Sequence, residues 1–195
     1  MKLNVYKILV IVLALLGANG VLLIWNAWKV GRVLDSYKGV PVYDNGLFFF
    51  LSYGRHYSND GYYYGQKWQC VEYVKRFYCD AKGHMMPDVM GHARSYFDES
   101  LPDGALNKRR GLVQFRNGSN EKPCLDDLLV FNDTRYGHVG IVTEVGKDYV
   151  EIIQQNVLGH TRQRFLLTES NGQFFIVSPR RPAGWLRKVE VRPQQ

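Results

Sequence analysis

The longest apolar run of the chain lies close to its N-terminus, between Ile8 and Trp25, and Asn19 is its one strongly polar residue. A helix needs about 20 apolar residues to cross a bilayer. Trp28, three residues after the run, fits the aromatic belt of a membrane interface. The pattern therefore predicts a transmembrane helix within residues 1–28, followed by a juxtamembrane stalk over residues 29–38.

The membrane segment has no cleanly placed small-x-small cleavage site after it, because Ala18-Asn19-Gly20 lies inside the apolar run. We therefore expect an uncleaved signal anchor, with a cleaved signal peptide as the alternative. Basic residues flank the run on both sides, so their distribution does not set the orientation. Our expectation is a single pass through the cytoplasmic (inner) membrane, with the following domain facing the periplasm or the outside.

A helical stripe follows in the middle of the chain. Four residues recur at the spacing of one helix face, namely Cys70, Tyr73, Val74 and Phe77. The stripe predicts a helix from Val71 to Ala81, and Gly83 is suited to cap its C-terminus. A second short helix is predicted from Pro87 to Tyr96.

The second half of the chain alternates between apolar runs and turn residues. The runs predict strands at Leu125–Phe131, Val139–Val145, Tyr149–Gln155, Arg164–Leu167 and Phe174–Val177. Asn171-Gly172 is a strong hairpin turn between the last two. Helices followed by antiparallel strands predict an α+β domain, which we place at residues 39–187, with residues 188–195 as a tail.

Cys70 stands at the predicted helix start, directly after a turn-rich stretch that contains Asp60-Gly61 and Gly65. The positive end of the helix dipole favours the thiolate, which is the nucleophilic form of cysteine. The alternative interpretation is a core cysteine, since free cysteines are among the most buried residues in proteins.

His138 opens one strand, and the strand that returns towards it carries Gln154, Gln155 and Asn156. If the loop between them is Gly146-Lys147-Asp148, Val145 pairs with Tyr149 and His138 lies opposite Asn156. Side chains alternate along a strand, so Gln154 and Asn156 then share a face with His138, with Gln154 on the diagonal. A shift of one residue would place Gln155 there instead.

Cysteine, histidine and an orienting side chain are the three parts of a thiol hydrolase. The blocks around them resemble the CHAP domain, the cysteine- and histidine-dependent amidohydrolase/peptidase module of the papain-like superfamily. Within it, the chain is most similar to the amidase half of glutathionylspermidine synthetase/amidase. The resemblance covers residues 39–187 and rests on Gly65–Tyr73, Leu128–Phe131, Gly137–Val139 with Ile141, and Gln154–Val157, with support from Gly39–Tyr43 and Gly184–Leu186.

The resemblance implies a papain-like fold and a role for each site residue. Cys70, at the helix N-terminus, attacks an amide carbonyl, and His138 is the base. The family has a glutamate at the position of Gln154 to orient the histidine, so either the amide of Gln154 takes over that role, or the enzyme is weakened, or Asn156 orients the histidine. Gln69, beside the nucleophile, is the candidate for binding the oxyanion.

The formal net charge of +7 favours anionic partners such as lipid headgroups and wall polymers. The basic residues are scattered, and no nucleic-acid motif is present, so we expect no nucleic-acid partner. No cysteine and histidine spacing is typical of a metal site, and we expect neither a metal nor a cofactor. Three cysteines are an odd number, which leaves a Cys79–Cys124 disulfide as an open possibility if Cys70 is a free thiol.

These observations lead us to expect a membrane-anchored thiol amidohydrolase that cleaves a peptide-type amide bond through an acyl-enzyme. The anchor and the basic charge favour a peptidoglycan peptide as the substrate, whereas the sequence similarity favours a glutathionyl-polyamine. The alternative of another class is a catalytically weak wall-binding or partner-binding module on the same fold. Gln154, at the position of the family glutamate, is the residue that supports this alternative.

Overall fold

The computed structural model describes residues 5–48 and 50–189; residues 1–4 of the predicted anchor, Phe49, and residues 190–195 of the predicted tail lie outside this range. The first helix, α1, runs from Val5 to Lys29. Within the described residues it is the one helix that is long and apolar enough to cross a membrane: its stretch Val10–Lys29 has a mean hydropathy of 2.1, with 6% of the window buried. Length and composition thus qualify α1 as a membrane anchor or a signal sequence.

The last turn of α1 is attached to the rest of the chain through Asn26, which is buried. The Asn26 side-chain oxygen accepts a hydrogen bond from the Leu47 backbone at 2.6 Å, and its amide nitrogen donates to the Tyr53 hydroxyl at 3.2 Å. A side chain at Gly46 would collide with this contact, because an added Cβ would lie 2.3 Å from the Asn26 oxygen. The helix end and the following loop therefore fit closely together.

The segment after α1 is part of the folded domain. β1 (Val33–Tyr37) pairs antiparallel with β2 (Val40–Tyr43), and the Tyr37 ring stacks on Phe77 with 5.6 Å between ring centroids. This corrects the stalk predicted over residues 29–38. The segment pairs as a strand because Tyr37 finds an apolar partner in the core.

The second helix, α2, extends from Cys70 to Lys82, one residue beyond the prediction at each end. Its apolar stripe, with Val74 and Phe77, is buried. The helix ends at Gly83, which adopts the left-handed conformation with φ 56° and donates its N–H to the Cys79 carbonyl. A glycine meets this conformation without the steric cost of a Cβ, so the predicted C-cap is confirmed.

The remaining strands of the described chain are β3 (Arg55–Tyr57), β4 (Tyr63–Gln66), β5 (Ala105–Asn107), β6 (Leu112–Arg116), β7 (Leu128–Phe131), β8 (His138–Val145), β9 (Tyr149–Ile153), β10 (Arg162–Ser170), β11 (Gln173–Val177) and β12 (Pro182–Arg187). Eight of them form one antiparallel sheet in the order β11-β10-β9-β8-β7-β12-β6-β5, while β3 pairs with β4 alone. The prediction of an α+β domain with a large antiparallel sheet is confirmed.

The central strands are covered on both faces, because side chains alternate along a strand. On one face, Val130 and Ile141 pack in the same cluster as Phe77 of α2. On the other face, Phe131 and Trp185 belong to a second apolar cluster. The middle of the sheet therefore places β8, with His138 at its start, between α2 and a second core.

The helix predicted from Pro87 to Tyr96 is wrong except for a 3₁₀ turn at Ala93–Tyr96. Two buried cations satisfy the backbone of this segment instead. Lys75 donates to the Val89 carbonyl at 2.9 Å, and Arg110 donates to the Asp88 carbonyl at 2.8 Å. These carbonyls have tertiary partners, so the segment has no need of a helix to satisfy them.

The Asn171-Gly172 hairpin turn is confirmed, with φ values of 53° and 76° that are typical of a type I′ turn. The register predicted for β8 and β9 is wrong next to their turn, where Val145 pairs with Val150 and not with Tyr149. An irregularity between Val142 and Glu144 then restores the predicted frame, in which Val142 pairs with Ile152. The site end of this hairpin therefore follows the predicted register.

Candidate active site

Cys70 is the first residue of α2, and Gln69 before it has an extended backbone with φ −79° and ψ 159°. The backbone amide of Val139, the residue directly after His138, interacts with the Cys70 thiol. The thiol therefore lies where the N-terminus of α2 meets the start of β8. The first N–H groups of a helix have no partner within the helix, so this position offers donors to an anion.

Burial raises the pKa of the Cys70 thiol, although the amides of Val139 and Val71 and the charge of Arg180 act in the opposite direction. The backbone amides of Val71 and Cys70, at the N-terminus of α2, do favour the thiolate, but burial has the larger effect on the Cys70 pKa. Loss of solvation outweighs the helix dipole here, and the thiol is protonated at neutral pH.

His138 is buried, with 5% of its surface exposed. Its Nε2 lies 3.0 Å from Oε1 of Gln154, and Nε2 of Gln154 donates in turn to Oε1 of Gln163 at 3.3 Å. Since Gln154 accepts through its oxygen, the proton of the neutral imidazole is on Nε2, and Nδ1 carries the lone pair. Gln154 therefore occupies the diagonal position beside His138 that the hairpin pattern predicts.

Burial lowers the pKa of His138 to about 3, and the Arg180 charge adds to this effect, whereas Gln154 and Asp133 oppose it. A neutral amide cannot supply the negative charge that would stabilise an imidazolium. The resting site therefore holds a neutral thiol and a neutral imidazole. In the described part of the chain no hydrogen bond joins Cys70 to His138, and such contacts often tighten only when a substrate binds.

Asn156 lies next to Gln69 and not next to His138. β9 ends at Ile153, and Asn156 has a left-handed backbone with φ 64°. Its amide nitrogen donates to Oε1 of Gln69 at 2.6 Å, and its oxygen accepts from Asn45 at 2.6 Å. The chain leaves the strand before it reaches the predicted pairing of His138 with Asn156.

Gln69 is held by its neighbours on both sides of its amide. Besides the contact with Asn156, its Nε2 donates to the Leu51 carbonyl at 3.0 Å. These bonds fix the Gln69 side chain at the N-terminus of α2, one residue before the thiol. The structure thus brings Gln69 and Asn156 together on one side of the site, and His138 and Gln154 on the other.

The sequence pattern did not identify Gln155 as a connector of these two sides. Gln155 is 1% exposed and uses both ends of its amide. Its Nε2 donates to the Gln69 carbonyl at 3.0 Å and to Glu72 at 2.6 Å, while its oxygen accepts from the Tyr43 backbone at 2.8 Å. Gln154 and Gln155 point to opposite sides of the chain, so one contacts the imidazole and the other contacts α2.

Glu72 is the buried anion of this connection. Arg76 donates to it at 2.6 Å, and Nδ1 of His56 lies 2.8 Å from the same carboxylate oxygen. Burial opposes ionisation of Glu72, but the bonds from His56, Arg76 and Gln155 lower its pKa. The spacing of Glu72 and Arg76 by four residues on a helix is a sequence signal that could have indicated the ion pair.

A cavity of about 330 Å³ adjoins the site, lined by residues 42–47 on one side and 154–161 on the other. The described residues contain no cluster of three metal-ligating side chains. Cys70, Cys79 and Cys124 are all free thiols, so the Cys79–Cys124 bond left open above is not formed.

Comparison with known protein families identifies the class of this domain. The family model of the CHAP domain matches residues 59–156, which is half of the chain and includes Cys70, His138 and Gln154. The chain belongs to the CHAP-domain family. CHAP domains have a papain-like fold, in agreement with the α+β architecture and the large antiparallel sheet described above.

The chain is also similar in sequence to curated proteins whose names state an activity. Trypanothione synthetase of Crithidia fasciculata is 35% identical over 124 residues, which are 62% of this chain and 19% of the relative. The bifunctional glutathionylspermidine synthetase/amidase of Escherichia coli (strain K12) is 37% identical over 106 residues, 51% of this chain and 17% of the relative. The matched region spans less than a fifth of the length of either relative. The family and the amidase relative support amidohydrolase activity.

Proposed function

We propose that this protein is a membrane-anchored thiol amidohydrolase with Cys70 as the nucleophile and His138 as the general base. The observation that carries the proposal is the pairing of His138 Nε2 with Gln154 at 3.0 Å, beside a thiol that the Val139 amide contacts. This pairing leaves Nδ1 of the imidazole to accept a proton. A nucleophile, a base and an orienting group are the parts that acyl transfer requires.

The reaction begins with a neutral pair. His138 Nδ1 takes the proton of Cys70 as the sulfur attacks the amide carbonyl, and Gln154 holds the imidazole by its Nε2–H. The oxyanion is bound by the Cys70 backbone N–H, a first-turn donor of α2, and by the Gln69 amide. His138 then protonates the departing amine, and water attacks the thioester to release the acid and the free thiol.

Two substrate classes follow from different observations. An anchored domain outside the cytoplasmic membrane would meet peptidoglycan peptides, and its +7 net charge would attract that anionic polymer. The amidase relative instead favours the amide of a glutathionyl-polyamine conjugate. Both substrates contain a peptide-type amide, and both reactions use the same Cys70 chemistry.

A second candidate function is a catalytically weak binding module. It is favoured by Gln154, a neutral side chain where the family has a carboxylate, and by the low pKa of His138. Proton transfer from Cys70 to an imidazole with a pKa of about 3 is unfavourable. On this proposal the domain would bind a peptide without turning it over.

Mass spectrometry of two digests tests the proposal. The full-length chain in detergent is incubated with purified peptidoglycan or with glutathionylspermidine, and the products are identified. We expect hydrolysis of an amide in one of them and its loss in Cys70→Ala by a factor of about 10³ or more, as is typical for removed nucleophiles. Cys79→Ala is the matched control and should keep its activity. Turnover that survives in Cys70→Ala contradicts the mechanism, and absence of turnover with retained binding favours the module.

A further inference from the structure

Arg180 lies at the edge of the candidate active site, in the loop that connects β11 and β12. Its Nε donates to Oδ2 of Asp133 at 3.0 Å, and its guanidinium carbon lies 5.0 Å from the centroid of the Phe131 ring. The Phe131 ring is in turn 6.2 Å from the imidazole of His138, its partner across β7 and β8. The bond to Asp133 and the contact with Phe131 therefore position the guanidinium so that the Phe131 ring lies between it and His138, the proposed base.

In the part of the chain that the structure describes, no hydrogen bond uses the terminal amino groups of Arg180. Among the described residues, the terminal amino groups of other ion-paired arginines donate to carboxylates or carbonyls, as those of Arg76, Arg162 and Arg187 do. Within residues 5–48 and 50–189, the Arg180 side chain donates only through Nε, and 23% of this side chain is exposed. The planar pair of terminal amino groups is the part of arginine that binds a carboxylate in a bidentate manner.

The ion pair with Asp133 is also incomplete on its acidic side. Asp133 accepts from Arg180 with one oxygen, while the other oxygen, Oδ1, is buried without a hydrogen-bond partner in the described structure. A buried carboxylate oxygen without a donor is unfavourable. The Asp133 carboxylate therefore depends on its bond from Arg180, and this bond holds the guanidinium in place.

The charge of Arg180 reaches both reacting groups. At His138 it adds to burial, which lowers the pKa, and at Cys70 it opposes burial, which raises the pKa. The neighbouring residue Arg181 has the same charge, but no hydrogen bond or ion pair from its side chain occurs in the described structure. By geometry, a ligand bound to Arg180 would lie near the His138 imidazole, with the Phe131 ring between them.

We propose that Arg180 binds a carboxylate of the substrate beside the amide that Cys70 attacks, and that Asp133 holds Arg180 in position for it. This inference rests on the proposed function of the site and specifies its substrate class: a peptide amide with a free carboxylate near the reacting bond. A polyamine is cationic and is repelled by Arg180. In a peptide–polyamine conjugate the peptide half would face Arg180, and the polyamine would leave on the opposite side.

Two alkylating reagents of nearly equal size test this proposal without requiring turnover. Iodoacetate carries a carboxylate, whereas iodoacetamide is its neutral counterpart. The full-length chain in detergent is treated with each reagent, and the rate of modification of Cys70 is measured by mass spectrometry of its peptide. The ratio of the iodoacetate rate to the iodoacetamide rate reports whether a carboxylate is bound next to the thiol.

We expect Arg180→Gln to lower this ratio tenfold or more, since the variant loses the charge-assisted hydrogen bond to the carboxylate of iodoacetate. Arg181→Gln removes the same charge one residue away and should leave the ratio unchanged. The double variant Asp133→Asn with Arg180→Gln avoids an unpaired buried carboxylate and should match the single variant. An unchanged ratio in both Arg180 variants, or an equal fall in Arg181→Gln, overturns the proposal.

A different experimental result would refute the proposed function. If Cys70→Ala keeps its amidase turnover, Cys70 is not the nucleophile, yet the alkylation ratio still reports on Arg180. The two conclusions can therefore be refuted separately.

Discussion

Replacing Gln154 by glutamate places a negative charge next to the imidazole of His138, where the wild-type protein has a neutral amide. The Gln154 oxygen is 3.0 Å from Nε2, so a carboxylate there would lie in direct contact with the ring. Two opposite charges about 4 Å apart attract by about 4 kcal/mol at an effective dielectric constant of about 20. Because 1.36 kcal/mol corresponds to one pKa unit, this attraction can raise the pKa of His138 by at most about three units. Burial of the new carboxylate weakens the attraction, so we expect a rise of about one to three units.

The pKa of His138 should therefore rise from about 3 towards the ordinary range of histidine. Each unit of this rise increases the population of the thiolate–imidazolium pair tenfold at constant pH, since 1.36 kcal/mol corresponds to one factor of ten. We expect Cys70 of Gln154→Glu to react with iodoacetamide at least about tenfold faster than wild type at pH 6. On the acid side, the rate should begin to fall at a higher pH than in wild type, because the raised pKa of His138 lets an imidazolium form beside a neutral thiol at that higher pH.

Gln163→Glu is the matched control for this experiment. Gln163 contacts Gln154 at 3.3 Å but does not contact His138, so a charge there acts from one side chain further away. Its alkylation profile should lie close to that of wild type. If the alkylation profiles of both variants shift equally, any added negative charge near the site has the same effect. If the profile of Gln154→Glu does not shift at all, the role assigned to Gln154 is refuted.

Two further predictions concern stability and topology. The pKa of His138 is about 3 in the folded domain, whereas histidine in an unfolded chain has a pKa of about 6.5. Below pH ~6.5 the unfolded chain therefore binds more protons than the folded domain. The free energy of unfolding should fall by about 2 kcal/mol between pH 7 and pH 5. Denaturation of the detergent-solubilised chain measures this fall, which should be absent in His138→Gln and present in His160→Gln, a change at an exposed histidine. For topology, alkaline phosphatase fused after Gln195 should be active in cells, because the unbroken apolar run and the missing cleavage site favour an anchored external domain. An inactive phosphatase fusion together with a fluorescent cytoplasmic reporter would reverse the orientation and favour the glutathionyl-polyamine substrate.

Local patterns predicted the parts of the fold that depend on neighbours in sequence. The stripe through Phe77 and the cap at Gly83 define α2 within one residue at each end, because helical spacing and a left-handed glycine are local properties. The two-residue turn at Asn171-Gly172 fixes its hairpin for the same reason. The position of Gln154 beside His138 also follows from alternation along one hairpin.

Features that depend on tertiary burial were not accessible in this way. The helix dipole at Cys70 is visible in the sequence, but the loss of solvation that raises the pKa of its thiol is a property of the packed site. The irregularity between Val142 and Glu144 shifts the register beside the turn and leaves no mark in the apolar pattern. The contacts of Gln155 with Glu72 and Tyr43 join segments far apart in the chain.

The contact of Asn26 with the loop after β2 has a consequence for any soluble form of this protein. That loop bonds the end of α1 through Leu47 and bonds Gln69 through the Leu51 carbonyl, so one short segment connects the helix to the neighbour of the thiol. Cleavage of the chain directly after Asn26 would remove that residue and leave the Leu47 amide without its acceptor, at a cost of about 1–3 kcal/mol unless water replaces it. If α1 anchors the domain as proposed, its last turn would also support the residue beside the proposed nucleophile, and removal of the helix should change the rate at which Cys70 is alkylated.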